Sequence, residues 1–289
     1  MLAGKSISHV NQDIGKYFSK QEVEGYYNNL TEKVTMIPEI LEDDRLPIAR
    51  TETEDILFPV AIFQYGLGAY DLYLATKEEK YLNKFLQCAD WALEKQDSHG
   101  RWNNFFYCYP DAPYGAMAQG EGASVLVRAY KQTSENKYLK AALDALEYML
   151  LPLEQGGTTK YTETEALLME YTCKGMVLNG AIFAWWGLYD YVTITGDRGY
   201  IYKSLQSTLQ SIINELPKFR SNLWSMYSLD GQVASPFYHN LHIAQMQAMY
   251  ILTGEEVFKE YATLWLKRQR NYICKSLAFI HKSAQKILE

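Results

Sequence analysis

One short pattern occurs four times in this chain and restricts what it can fold into. It reads Thr76-Lys-Glu-Glu-Lys-Tyr81, Thr133-Ser-Glu-Asn-Lys-Tyr138, Thr195-Gly-Asp-Arg-Gly-Tyr200 and Thr253-Gly-Glu-Glu-Val-Phe258, with 57, 62 and 58 residues between successive threonines. Three copies carry a tyrosine three positions before the threonine (Tyr73, Tyr130, Tyr250), and the third copy has Val192 there. After the turn, Leu82, Phe85, Leu86, Ala89 and Leu93 recur at the same offsets as Leu139, Ala142, Leu143, Leu146 and Leu150. Steps of three and four residues put such a set on one helix face. Ile201, Leu205 and Ile212 keep the stripe in the third copy. An apolar stretch of helix length precedes each turn, at 58–75, 117–132, 177–194 and 241–252. Each unit therefore reads as a helical hairpin, and hairpins of this kind bury their faces only by stacking on one another.

The expected fold is all-α: an α/α toroid, an incomplete barrel of about four helical hairpins, with an N-terminal arm at 1–55, the toroid at 56–270 and a basic helix or tail at 271–289. Glycines in the first helices (Gly66, Gly68, Gly120, Gly122, Gly180, Gly187) suit close packing toward a ring's centre, at a cost of about 0.5–1 kcal/mol each relative to alanine. An open solenoid is the alternative. The connections 96–116, 151–176 and 216–239 exceed the usual ~2–8 residues between helices. They are rich in aromatics, including Trp102, Phe105, Tyr107, Tyr109, Tyr114, Tyr171, Tyr227 and Tyr238, and all precede a first helix, so they should converge on one mouth. The arm is expected to wrap the ring.

Composition excludes several classes. With 48% hydrophobic and 21% charged residues the chain has material for a core and is not disordered. Its longest apolar candidate, Met176 to Val192, is interrupted by Asn179 and Asp190, so no membrane span is expected. The first residues lack the apolar core of a signal peptide, which leads to an expectation of cytoplasmic residence. A net charge of −6 argues against a nucleic-acid surface. Four scattered cysteines read as reduced thiols. Tyrosine outnumbers phenylalanine 24 to 11, which fits either a core with satisfied hydroxyls or the lining of a polar-ligand cleft.

Three loop-to-helix junctions concentrate polar groups. Tyr114 to Gly122 holds Gln119 and Glu121 among glycines that would let a ligand approach the backbone. Glu170-Tyr171 lies shortly before an apolar helix, where burial beside aromatics would fit a carboxyl for acid or base work. The third junction runs from Trp224 through Tyr227 and Asp230 to Tyr238, His239 and His242. The two histidines share a face at a helix start, a spacing compatible with metal, but no further ligand joins them, so a polar clamp on an anionic sugar is the better reading and no metal is assigned.

These residues carry a resemblance. The runs Ala116 to Tyr130, Glu170-Tyr171, Val177 to Phe183, Gly187 to Asp190, Tyr227-Ser-Leu and Tyr238 to Ile243 resemble the C-terminal α/α domain of D-glucuronyl C5-epimerases, over about residues 55–270. Those enzymes convert glucuronate to iduronate in heparan-type polysaccharides. The resemblance implies a catalytic set of Glu170, Tyr171, Tyr227 and Tyr238, no cofactor, and an anionic polysaccharide or oligosaccharide as substrate; a homodimer is also expected. Trp102, Tyr114, Gln119, Glu121 and Asn179 are candidate substrate-binding residues. The sequence departs from the family at Met169, Thr172 and Asp230, the last standing where the animal enzymes carry an Arg that meets the substrate carboxylate. His239, His242 or Arg101 would then replace that cation. Two other readings stay open: a uronate lyase or a hydrolase using Glu121 and Glu170, and a non-catalytic glycan-binding toroid.

Overall fold

A threonine hydroxyl can accept one hydrogen bond and donate another, and the repeat uses both. In the computed structural model, Thr76, Thr133, Thr195 and Thr253 donate to the carbonyls of Leu72, Ala129, Tyr191 and Met249 at 2.7–2.9 Å. Each accepts the N–H two residues on, from Glu78, Glu135, Asp197 and Glu255 at 3.1–3.2 Å. The next residue closes the helix through its N–H to the carbonyl of Tyr73, Tyr130, Val192 or Tyr250. That bond uses only a carbonyl, so Val192 serves as well as tyrosine. Lys77 and Ser134 take the left-handed conformation there at φ 60°, a strain of about 1 kcal/mol that Gly196 and Gly254 avoid in the other copies.

The structure describes residues 10–50 and 54–288, so the arm's first nine residues, 51–53 and Glu289 lie outside it. Four hairpins follow a short helix α1 (Thr31–Thr35): α2 (Pro59–Thr76) with α3 (Glu79–Lys95), α4 (Ala116–Thr133) with α5 (Asn136–Met149), α6 (Leu178–Thr195) with α7 (Tyr200–Glu215), and α8 (Pro236–Thr253) with α9 (Glu256–Arg270). The first helix of each pair is internal: α2 packs on α4, α4 on α6 and α6 on α8. The α4–α6 contact is backbone to backbone. A Cβ on Gly120 would fall 2.4 Å from the Ala184 Cα, and one on Gly187 2.4 Å from the Gly120 carbonyl oxygen. This ring of helical hairpins is an α/α toroid, and no helix among the described residues is long and apolar enough to cross a membrane.

The ring is incomplete, because α2 and α8 make no comparable contact among the described residues. The arm spans them. Rather than lying round the outside, its first part packs against all four inner helices. Tyr26 N–H donates to Asp71 of α2, Tyr27 hydroxyl to Asp190 of α6, and Asn240 of α8 donates to the side chains of Asn11 and Asp13. Arg128 of α4 supplies the strongest tie. Fully buried, it forms a two-pronged pair with Asp190 at 2.6 and 3.2 Å, and it also donates to the carbonyls of Glu24, Gly25 and Ser124. All five guanidinium hydrogens are thereby satisfied.

Two-stranded ladders add to the helices: β1 (Ala49–Arg50) with β2 (Asp55–Ile56), and β3 (Thr159–Tyr161) with β4 (Ala166–Leu168), both antiparallel. The second lies inside the long connection ahead of α6. The basic tail forms α10 (Tyr272–Leu288), which seats Ala278 against Trp224, Val233 and Ala234 and holds the 231–233 turn through Gln285.

Removing Asp190 strands a guanidinium with no exposed surface. Asp190→Ala should destabilise the chain by about 3–5 kcal/mol in urea unfolding. Cutting the exposed Lys140–Asp144 pair with Lys140→Ala should leave the midpoint almost unmoved.

Candidate active site

Glu170 is set by the backbone on both sides. Strand β4 ends at Leu168, Met169 donates its N–H to Thr158, and the Met169 carbonyl accepts the first N–H of α4, from Ala116, at 2.8 Å. A Cβ on Gly115 would lie 2.0 Å from the Glu170 carbonyl oxygen, and one on Gly180 2.1 Å from its Oε2. Glycine at these two places lets the carboxyl stand between the starts of α4 and α6. It is 6% exposed, and Oε2 is buried without a hydrogen-bond partner. Burial pushes the carboxyl up to about 7, against the opposing pull of a side-chain hydrogen bond from Tyr171.

Tyrosines from the other loops close on this carboxyl. Tyr171 stacks on Phe105 at 4.5 Å and meets Tyr109 edge-on at 5.5 Å, so the loops ahead of α4 and α6 interlock. Tyr227 and Tyr238, both half-buried, stand with ring centroids 4.7 Å apart. Burial first, and the Glu170 charge next, raise the hydroxyls of Tyr171, Tyr227 and Tyr238 far above the ordinary tyrosine value. The Tyr227 hydroxyl is close enough to those of Tyr171 and Tyr238 to lower both. Tyr107, 45% exposed, feels the same carboxylate and packs on Phe58, the residue ahead of α2. The segments ahead of all four inner helices thus meet at one mouth.

The loops are also stitched together. Leu178 donates to the Tyr227 carbonyl at 3.2 Å and Leu229 to that of Met176 at 3.0 Å, while Asp230 accepts the Gly175 N–H at 2.8 Å. Such an assembly presents a dry carboxyl that holds or releases a proton near neutrality, opposite phenols that keep theirs. That is equipment for proton transfer at carbon.

Residues 96–267 match the family described as D-glucuronyl C5-epimerase C-terminus. The chain belongs to that family. It is 25% identical over 221 residues to the D-glucuronyl C5-epimerase of Caenorhabditis elegans, covering 67% of this chain and 36% of that one. It is 32% identical over 159 residues to an uncharacterized protein of Methanocaldococcus jannaschii, covering 52% of this chain and 51% of the other. This chain therefore spans about half, or less, of the length of these relatives. Among solved structures, a sugar epimerase from a ruminal bacterium aligns over 94% of this chain and 82% of its own with a TM-score of 0.58 at 10% identity. The cellobiose 2-epimerase of Spirochaeta thermophila aligns over 89% and 76%, with a TM-score of 0.51 at 11% identity. At such identity the likeness is one of fold, the α/α toroid.

Within this epimerase-family domain, the four residues Glu170, Tyr171, Tyr227 and Tyr238 come together. The other candidates divide. Gln119 is fully buried and bonds the backbone of Trp102 and Gly115, so it secures the loop rather than facing the mouth. Trp102 is a wall residue: its indole N–H donates to the Ala92 carbonyl, and its ring meets Phe63 at 5.1 Å. Tyr114 packs on Tyr148, and Arg101 lies over both rings while paired to Asp97 at 2.6 Å. His239 and His242 are sealed in the wall, sharing Ser225 Oγ at 2.8 and 2.9 Å, with His239 stacked on Trp224 at 3.6 Å. Burial pushes them down to about 4 and about 3, so neither carries charge at neutral pH and neither can clamp an anion. Glu121 and Asn179 are buried beneath the site, Glu121 accepting from Gln64 at 2.9 Å. Sequence reasoning placed Tyr107 and Tyr109 at the mouth only as loop aromatics and passed over Lys174, four residues after Glu170.

Burial pushes Glu121 up to about 8. In NMR of protein labelled at its glutamate carboxyls, two signals should therefore titrate near 7 and 8, and Glu170→Gln should remove the lower one. Both groups hold their proton more tightly folded than unfolded, so the stability they contribute is full below about pH 4 and is lost as pH rises through 7 to 8. Glu170→Gln and Glu121→Gln should each flatten that decline in thermal unfolding.

Proposed function

We propose that this chain is a carbohydrate epimerase that inverts C5 of D-glucuronate to L-iduronate within a uronic-acid polymer. The observation that carries the reading is a buried carboxyl poised near neutrality, Glu170, facing tyrosines delivered by a different hairpin. The C5 hydrogen of a uronate lies alpha to a carboxylate and is weakly acidic. Inverting the centre requires removal of that proton from one face and delivery of another to the opposite face.

Glu170, ionised, takes the C5 proton, and the electrons of the broken C–H bond pass into the carboxylate to form an enediolate. Tyr238 donates its hydroxyl proton to the other face of C5, the new C–H bond forms, and the carboxylate is restored. A hydroxyl raised by burial keeps its proton until C5 accepts it, which suits Tyr238 to the acid role. The neighbouring Tyr227 hydroxyl, which lowers that of Tyr238, steadies the phenolate left behind. Solvent then resets both groups. Tyr171, bonded to Glu170, orients the base. In the reverse direction the two groups exchange roles.

The test is NMR of an unsulfated glucuronate–N-acetylglucosamine polymer incubated with the protein in deuterium oxide. Deuterium should appear at C5 together with iduronate signals. Glu170→Gln and Tyr238→Phe should each slow epimerisation about 10²–10⁴-fold with polymer affinity little changed. An unsaturated uronate product would make the chain a lyase, new reducing ends a hydrolase, and binding without exchange a glycan-binding module.

A further inference from the structure

A uronate carries its negative charge next to the reacting carbon, and that charge grows as the enediolate forms, so a site for this substrate needs a cation within reach. The cations considered from sequence do not supply it. His239 and His242 are neutral inside the wall, and Arg101 is committed to Asp97 over two tyrosine rings. Asp230, at the position of the family's arginine, turns its carboxylate to the Gly175 N–H.

Among the described residues, Lys174 brings a cation to the mouth. Lys174 is exposed, its Nζ lies 4.6 Å from the centre of the Tyr109 ring and 5.5 Å from that of Tyr171, and it donates to the Tyr109 hydroxyl. An ammonium has three donors, so this bond leaves two for a ligand. No carboxylate lies within 4 Å of it among the described residues, and the charge of Asp230 acts on it only from further off. Tyr171, the ring beside it, is the residue that hydrogen-bonds Glu170. Asp230 holds the backbone one residue further on, at Gly175. Asp230 thus orients the segment that carries Lys174.

We propose that Lys174, tethered by Tyr109, is the carboxylate-binding residue of this site and selects uronates over neutral sugars; this rests on the epimerase reading above. A compact ammonium keeps its attraction as the carboxylate turns into the plane of the flattening C5, whereas a bidentate guanidinium would favour one orientation.

Binding and exchange separate this proposal from the reading beneath it. The probes are the unsulfated glucuronate–N-acetylglucosamine polymer and its carboxyl-reduced form, in which glucose replaces glucuronate, measured by calorimetry at low salt. The protein should prefer the charged polymer by about tenfold or more. Lys174→Ala should lose that preference while binding the reduced polymer as before, Lys174→Arg should retain most of it, and Tyr109→Phe should weaken it. In the exchange assay Lys174→Ala should raise KM and also lower kcat. Far-ultraviolet circular dichroism and an unchanged Tm check the fold of each variant. A preference for the charged polymer that survives in Lys174→Ala overturns the assignment, as does a protein that binds neither polymer. A preference that depends on Lys174 without any deuterium entering C5 supports the carboxylate site and overturns the epimerase reading instead.

Discussion

The fold depends on the buried pairing of Arg128 with Asp190. In energy alone such a pair does little better than apolar side chains of similar size, because both charges have left water. What it contributes is position. It joins α4 to α6 near one end, while the glycine contact of Gly120 and Gly187 brings the two backbones together further along. With two points fixed, the opposite ends of the same helices are fixed as well. Those ends begin beside Gly115 and Gly180, the two residues between which Glu170 stands. A charge pair at one end of the ring thus determines the width of the slot for the carboxyl at the other.

The mouth follows a single electrostatic rule. Three phenols, those of Tyr171, Tyr227 and Tyr238, surround Glu170, and a phenol in a dry site can donate a hydrogen bond without carrying charge. Desolvation raises the carboxyl and the phenols together, so the phenols stay neutral while the carboxyl, drawn down by Tyr171, remains within reach of ionisation. In the wall a few residues away the same burial silences two histidines outright, with no carboxylate among the groups that act on them.

The hairpins were legible in the sequence because helix faces repeat at fixed spacing, and the threonine pattern was legible because a side chain closes each turn. The convergence of Glu170, Tyr171, Tyr227 and Tyr238 followed from topology and from the family resemblance. Spacing does not reveal what a side chain at a helix start bonds to. Gln119, His239 and His242 looked like site residues, and each instead satisfies a buried partner. Arg128 and Asp190 lie in separate apolar stretches, and two of the carbonyls that Arg128 binds come from an arm with no periodicity at all. The β3–β4 ladder has three residues a side, too few for alternation to stand out. Lys174 was hidden for a simpler reason: a lone lysine in a loop acquires meaning only from the rings around it.

The four turns share one hydrogen-bond pattern, whereas the long connections differ from one another in length and content. Every turn is closed by its own threonine and the backbone nearby, so each copy needs the same few atoms whatever its neighbours are. No such local constraint acts on the connections, whose side chains bond across repeats. Duplicated units placed in a ring therefore acquire a preserved pole and an inventive pole. New chemistry accumulates at the second without disturbing the architecture written at the first.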